Sequence, residues 1–375
     1  MCIRNQVSRK SALLGTLALC GVLLLPSLPS VAESAAAGDT PPSVELISPR
    51  GIVLNPATNK VYAVDPGHKA VAIIDVAART SRRVKVGDDP LAIAVNSVTN
   101  RVYVLNTTSG TVSVLDGKTD AVVATVNVGK WPYVLAANPA ENKVYVSNIF
   151  SNVITIIDGA TNTTKTVNAG SADAMVIDAK RNKVFLLGYE ASSLLVLNGS
   201  DNSLSRMPVG AVHLWGIALD DTSATLYVTR IGNGDVVAID ENAHTFTPIG
   251  SGQFPCAVAV NAKTNTVYVA NYGDDSVTVI DGVKRVAVTT VPVGSRPLAI
   301  AVDSQNNRIY VANMHGNSVT VIDGSSNKVV ATLPAGSNPY AIALDAAGAA
   351  LFVANLGEPS VTRIDLHPPQ KSRTL

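Results

Sequence analysis

An aromatic residue set inside an apolar strand returns at Tyr62, Tyr103, Tyr145, Phe185, Tyr227, Tyr268, Tyr310 and Phe352. The intervals are 41, 42, 40, 42, 41, 42 and 42 residues, with no position missed. A period of this size constrains the fold more than any composition does. Each unit is too small to bury its own apolar face, so neighbouring units must stack on one another to make a core.

The unit beginning at Pro297 shows the internal plan. Leu298 to Val302 reads as strand a, Arg308 to Ala312 as b, Ser318 to Ile322 as c and Lys328 to Leu333 as d. Patterning in each is alternating or near-continuously apolar, which suits strands buried on one or both faces. Asp323-Gly324 opens the c–d turn, and Gly336 with Pro339 marks the exit to the next unit. No segment carries a helix-length 3.6-residue pattern. Four short strands in about 42 residues, with alternating Ala on the first, describe the blade of a β-propeller whose strand a lines a tapering channel. The expected fold is therefore all-β, with eight blades and seven as the alternative. The last unit stops after strand c (360–366), while 43–47 is a strand without a unit. Pairing the two closes the ring.

The strand-b sequences Tyr103-Val104-Leu105-Asn106, Tyr145-Val146-Ser147-Asn148, Tyr268-Val269-Ala270-Asn271 and Tyr310-Val311-Ala312-Asn313 resemble the signature of the YVTN family of β-propeller repeat proteins. The resemblance covers essentially the whole chain after its leader. It implies export to the periplasm or cell surface and assigns no reaction. Asp65, Gly188 and Arg230 stand where the motif's final Asn belongs.

Residues 1–32 read as a signal peptide. Arg4, Arg9 and Lys10 precede an apolar run from Ser11 to Leu25, with Ser30 and Ala32 suited to a cut before Glu33; a cut after Ala37 is the alternative. The run is short for a membrane span. A linker follows over 33–42, the propeller over 43–366 and a disordered tail over 367–375. Cleavage removes three cations and leaves Cys256 as the single cysteine, so no internal disulfide is expected. With 15% charged residues and basic runs no longer than Arg82-Arg83 and Lys284-Arg285, the chain lacks a strong nucleic-acid signature.

In a blade, the d–a and b–c connections emerge at one end and the a–b and c–d turns at the other. The second set is monotonous, with Asp-Gly at 116–117, 158–159, 281–282 and 323–324. The b–c loops differ from unit to unit, the arrangement expected of a rigid scaffold that carries recognition loops. Aromatic residues outside the repeat gather on this loop face: Trp131, Tyr133, Trp215, Phe254 and Tyr340 on d–a connections, and Phe150, Tyr189 and Tyr272 on b–c connections. So do polar outliers, namely His213, Arg230, Asp274, Asp275, Arg296 and His315, with Arg50 and His68 in the first blade. The candidate ligand-binding set is Trp131, His213, Trp215, Arg230, Phe254, Tyr272, Arg296 and His315, suited to an anionic or hydroxylated ligand. Arg230 is the leading member, and its replacement by the motif's Asn is expected to leave the fold nearly intact.

These features favour an exported binding or interaction module at the cell envelope, whose partner is a small molecule, a glycan or a protein. A periplasmic hydrolase or lyase at the channel mouth is the alternative, with His213 or His315 as base. No catalytic constellation, metal-ligand spacing or cofactor motif is legible, so no metal, no cofactor and no catalytic residue is assigned.

Overall fold

The computed structural model describes residues 44–45, 51–188, 191–210, 213–345, 347–358 and 360–366. The leader, the 33–42 linker, the 367–375 tail, Arg50 and Tyr189 lie outside the described residues.

Eight four-stranded antiparallel sheets follow one another along the chain. Blades one to seven span 52–85, 90–127, 132–167, 174–208, 214–250, 255–292 and 297–334. Blade eight takes 339–365 and completes itself with the N-terminal strand Val44–Glu45, where Val44 pairs with Val361 and Glu45 with Ser360. The ring is thus eight-bladed and closed by its first strand. A single 3-10 turn, Pro66–His68, is the one helical element among the described residues. No helix there is long and apolar enough to cross a membrane.

Strands b and c read as unbroken apolar runs because both of their faces are buried. In Arg101–Asn106, Tyr103 and Leu105 pack toward Val144 and Val146 of blade three. Val102 and Val104 pack the other way, on Tyr62, Val64 and Ile73 of blade one. Alternate residues of one strand therefore serve two different cores. Tyr62, Tyr103, Tyr145, Phe185, Tyr268 and Phe352 are wholly enclosed, each contributing about 2–3 kcal/mol of apolar burial. Strand d faces outward and turns polar, as in Thr80–Lys85 with its Arg82, Arg83 and Lys85. Charged side chains on such an edge discourage pairing with other chains.

The repeated Asn at the end of strand b is a latch inside its own blade. Nδ2 of Asn106 donates to Thr111 Oγ1 at 3.1 Å and Ser113 Oγ at 3.0 Å. Asn271 does the same with Ser276 and Thr278, and Asn313 with Ser318 and Thr320. The glycine of the d–a connection lies directly on this amide. A β-carbon at Gly294 would stand 2.6 Å from Asn313 Cγ, so only glycine fits.

The opposite end is fastened from blade to blade. Asn55 Nδ2 donates to Asn100 Oδ1 at 2.7 Å, Asn96 to Asn142 at 2.9 Å and Asn261 to Asn307 at 2.9 Å. Gly117 N–H donates to the Asn100 carbonyl at 2.9 Å, and Gly324 N–H to that of Asn307. The a–b and c–d turns therefore share one face. Their Asp residues cap the turns: Asp116 accepts from the N–H groups of Lys118 and Thr119 at 3.0 Å each.

Candidate functional site

The other face is organised around one repeated corner, where strand d of one blade hands over to strand a of the next. The last corner residue before strand a adopts a left-handed backbone at Asp89 (φ 55°), Trp131 (55°), His213 (63°), Phe254 (50°), Arg296 (55°) and Asn338 (52°). Its carbonyl accepts the first N–H beyond the neighbouring strand b: Thr107 to Asp89, Ile149 to Trp131, Ile231 to His213, Tyr272 to Phe254, Met314 to Arg296 and Leu356 to Asn338, all between 2.8 and 3.1 Å. The d–a and b–c connections are thereby bound into a common loop face.

A left-handed backbone costs an ordinary L residue about 1–2 kcal/mol, and Asn or Asp less. Asp89 and Asn338 satisfy the corner; Trp131, His213, Phe254 and Arg296 do so against their own conformational preference. Strand a begins with a register shift just after most corners, as between Pro255 and Ala257 or Pro297 and Ala299. In blade five the shift falls between Leu214 and Ile217 and takes in Trp215. Bulges of this kind re-aim side chains at the rim of a sheet.

The structure brings four of the eight candidate residues together. The Arg296 guanidinium lies over the Tyr272 ring, 5.0 Å from its centroid, and Nη1 donates to the Tyr272 carbonyl at 3.2 Å. Tyr272 also meets His315 in an edge arrangement, with centroids 6.3 Å apart. Phe254, 55% exposed, borders the same loop. A β-carbon on Gly273 would come within 2.9 Å of Phe254 Cδ2, so glycine lets the b–c loop close against that ring. The neighbouring carboxylates hold backbone: Asp274 accepts Gln253 N–H at 2.6 Å, and Asp275 accepts Arg296 N–H at 2.7 Å. Cys256, just beyond the Phe254 corner, is enclosed with its Sγ 3.3 Å from the Pro297 carbonyl. Burial pushes its thiol up to about 12.

Trp131 stands apart with Phe150, edge to face at 5.3 Å, on blade three. His213, Trp215 and Arg230 belong to blade five. Arg230 is enclosed, and its guanidinium is filled from within the fold. Nε and Nη2 grip Asp235 Oδ1 and Oδ2 at 2.6 and 2.5 Å, and Nη1 donates to the Val209 carbonyl at 3.0 Å. The pair spans the same positions as Asn106 and Thr111, so a charged latch takes the place of the amide latch. Asp235 was the overlooked residue, and its signal was in the sequence: an Asp where blades two, four, six, seven and eight carry Thr111, Ser193, Ser276, Ser318 and Ser360. Asp65 follows the same logic in blade one. It is fully buried and accepts from Arg83 Nε at 2.8 Å, with His68 Nδ1 at 2.9 Å. Among the described residues no three His, Cys, Asp or Glu side chains are grouped so as to hold a metal ion.

A model of the YNCE-like β-propeller family matches residues 88–374. No curated protein matches the chain. Among solved structures, Saccharomyces cerevisiae Sqt1 is 8% identical over 86% of this chain and 97% of its own, with a TM-score of 0.72. The dihydro-heme d1 dehydrogenase NirN is 15% identical over 84% of this chain and 75% of its own, with a TM-score of 0.67. Kuenenia stuttgartiensis hydrazine synthase is 16% identical over 90% and 99%, with a TM-score of 0.57. At these identities the likeness is one of fold.

Proposed function

We propose that this chain, which belongs to the YNCE-like β-propeller family, is an exported binding module of the cell envelope, in the periplasm or at the surface. Its ligand or partner docks on the loop face around the channel mouth. Export rests on the leader read in residues 1–32. Docking rests on one observation, the bulky side chains at left-handed corners. Asp89 and Asn338 serve that corner at little conformational cost, so Trp131, Phe254 and Arg296 carry a strain that the corner itself does not require. Residues kept against local stability are those expected at a working surface.

The test is a thermal-shift screen of anionic, sugar and peptide ligands on wild type, Trp131→Asn and Phe254→Asn. Ligands that raise Tm in wild type, with the gain reduced in either variant, support the reading. Equal gains in all three proteins would place the site elsewhere.

The hydrolase or lyase reading has one observation in its favour, the contact between His68 Nδ1 and Asp65, which could orient the ring as a base. Asp65 is also held by Arg83 and occupies the latch position, so the pair serves the frame of blade one. His68→Asn is expected to leave any ligand response on blades six and seven unchanged, as measured in the same screen.

A further inference from the structure

Resting on the loop-face reading above, we infer that Arg296 is the anchor for a ligand carboxylate borne on an apolar or aromatic body. Among the described residues, every arginine except Arg206 and Arg296 has an aspartate partner. Arg206 is exposed on the outer strand of blade four, with its Nη1 3.5 Å from Ser193 Oγ. Arg296 is half-buried on the loop face.

The geometry around Arg296 is specific about which atoms are left. Nη1 is held by the Tyr272 carbonyl, and the flat face lies over the Tyr272 ring. That leaves the Nε–Nη2 edge, which has no partner among the described residues. The same edge of Arg230 grips Asp235 through both oxygens, so the molecule itself shows what this fork binds when an acceptor is supplied. Asp275, the neighbouring carboxylate, bonds instead to the backbone N–H of Arg296. Arg296 is thus fixed at two points with its recognition edge unfilled.

A planar monoanion fits better than a phosphate. The fork offers two parallel donors, whereas a phosphate dianion with three terminal oxygens calls for several cationic or N–H donors. Asp274 and Asp275 lie on the same loop and repel a second negative charge. Phe254, more than half exposed beside Gly273, supplies an apolar wall for the body of the ligand, and His315 packs against the Tyr272 ring. The carboxylate can come from a small aromatic acid or from the C terminus of a peptide, which share this chemistry.

Calorimetric titration of the purified chain with N-acetylphenylalanine, its amide, phenyl phosphate and a short peptide ending in Phe separates the cases. The acid is expected to bind at least about tenfold more tightly than its amide, the loss that follows when one charged hydrogen bond is removed. Arg296→Gln should weaken the acid by a similar factor. It should retain its Tm, because the backbone carbonyl that accepts Met314 N–H is untouched. Arg206→Gln should bind as wild type does. Tighter binding of the peptide than of the acid, or equal binding, assigns the source of the carboxylate, and both support the anchor. An amide as good as the acid, phenyl phosphate binding more tightly, no effect of Arg296→Gln or no binding of either carboxylate overturns the inference. The corner variants in the ligand screen test the loop-face reading separately, so it can stand while the carboxylate assignment falls.

Discussion

Two arginines on the loop face depart from the repeat, and their surroundings are opposite. Arg230 ends strand b of blade five, enclosed, with both edges of its guanidinium filled by Asp235 and the Val209 carbonyl. Arg296 stands at the corner between blades six and seven, half-buried, with one nitrogen on the Tyr272 carbonyl and no carboxylate. Arg230 carries its partner five residues on, at the position that completes the latch elsewhere. Its departure is absorbed by the frame of its own blade. Arg296 has no such companion, and its corner requires a backbone conformation that favours Asn. An out-of-pattern charge in a repeat therefore becomes informative only when its partner is sought at the matching repeat position.

The largest expected effect breaks the closed member of this pair. Asp235→Ala leaves a buried guanidinium without its acceptor and should lower unfolding free energy by about 3 kcal/mol in urea denaturation. Arg230→Asn alone should also destabilise, since Asp235 would lose its partner, contrary to what the repeat alone suggests. The double exchange Arg230→Asn with Asp235→Thr restores the amide latch and should recover most of the loss. If Asp235→Ala behaves as wild type, the ion pair is not the latch and the contrast fails.

Phe254→Asn probes the strained side of the comparison. Relief of the left-handed backbone should raise stability by about 1 kcal/mol, read from the same denaturation curves, while the response to ligand falls. Loss of stability on this exchange would show that Phe254 is part of the frame.

Cys256 reports on whether the Arg296 corner stays closed. Its thiol is buried beside Pro297 O and is held at a high pKa of about 12, so thiolate is scarce at neutral pH. Alkylation at about pH 8 should be slow in wild type and equally slow in Arg296→Gln, and fast only after unfolding. A jump in the variant would mean that Arg296 braces the corner rather than awaiting a ligand.

The smallest effect concerns the turn face, where carboxylates are closed as at Asp235. Backbone N–H groups, Thr119 for Asp116 and Ser326 for Asp323, and then Arg101 and Arg308, hold these two carboxyls down at about 2. Because the folded pKa is depressed, their stabilisation is present above the ordinary carboxylate range near pH 4 and lost as pH falls through about 2. Asp116→Asn should flatten that part of the stability–pH curve, and a curve of unchanged slope would remove the turn carboxylate from the account.

The sequence by itself determined the architecture. Periodic Tyr and Phe positions, continuous apolar runs in strands b and c and Asp-Gly turns are local signals. With the aromatic position repeated eight times and Asp-Gly in four of the units, they leave a single way to bury both faces of every blade, with Val44–Glu45 closing the last one. It also separated the monotonous face from the variable one, because turn chemistry repeats where only backbone geometry is at stake. The partners of individual charges were decided by the tertiary structure. Whether Arg230 meets Asp235 in its own blade, and whether Arg296 reaches a carboxylate or a carbonyl on the adjoining loop, depends on distances set by blade closure and on a left-handed corner that no local propensity announces for Trp, Phe or Arg. Strand spacing and loop angle fix those distances to within an ångström, and a hydrogen bond is lost over less than that.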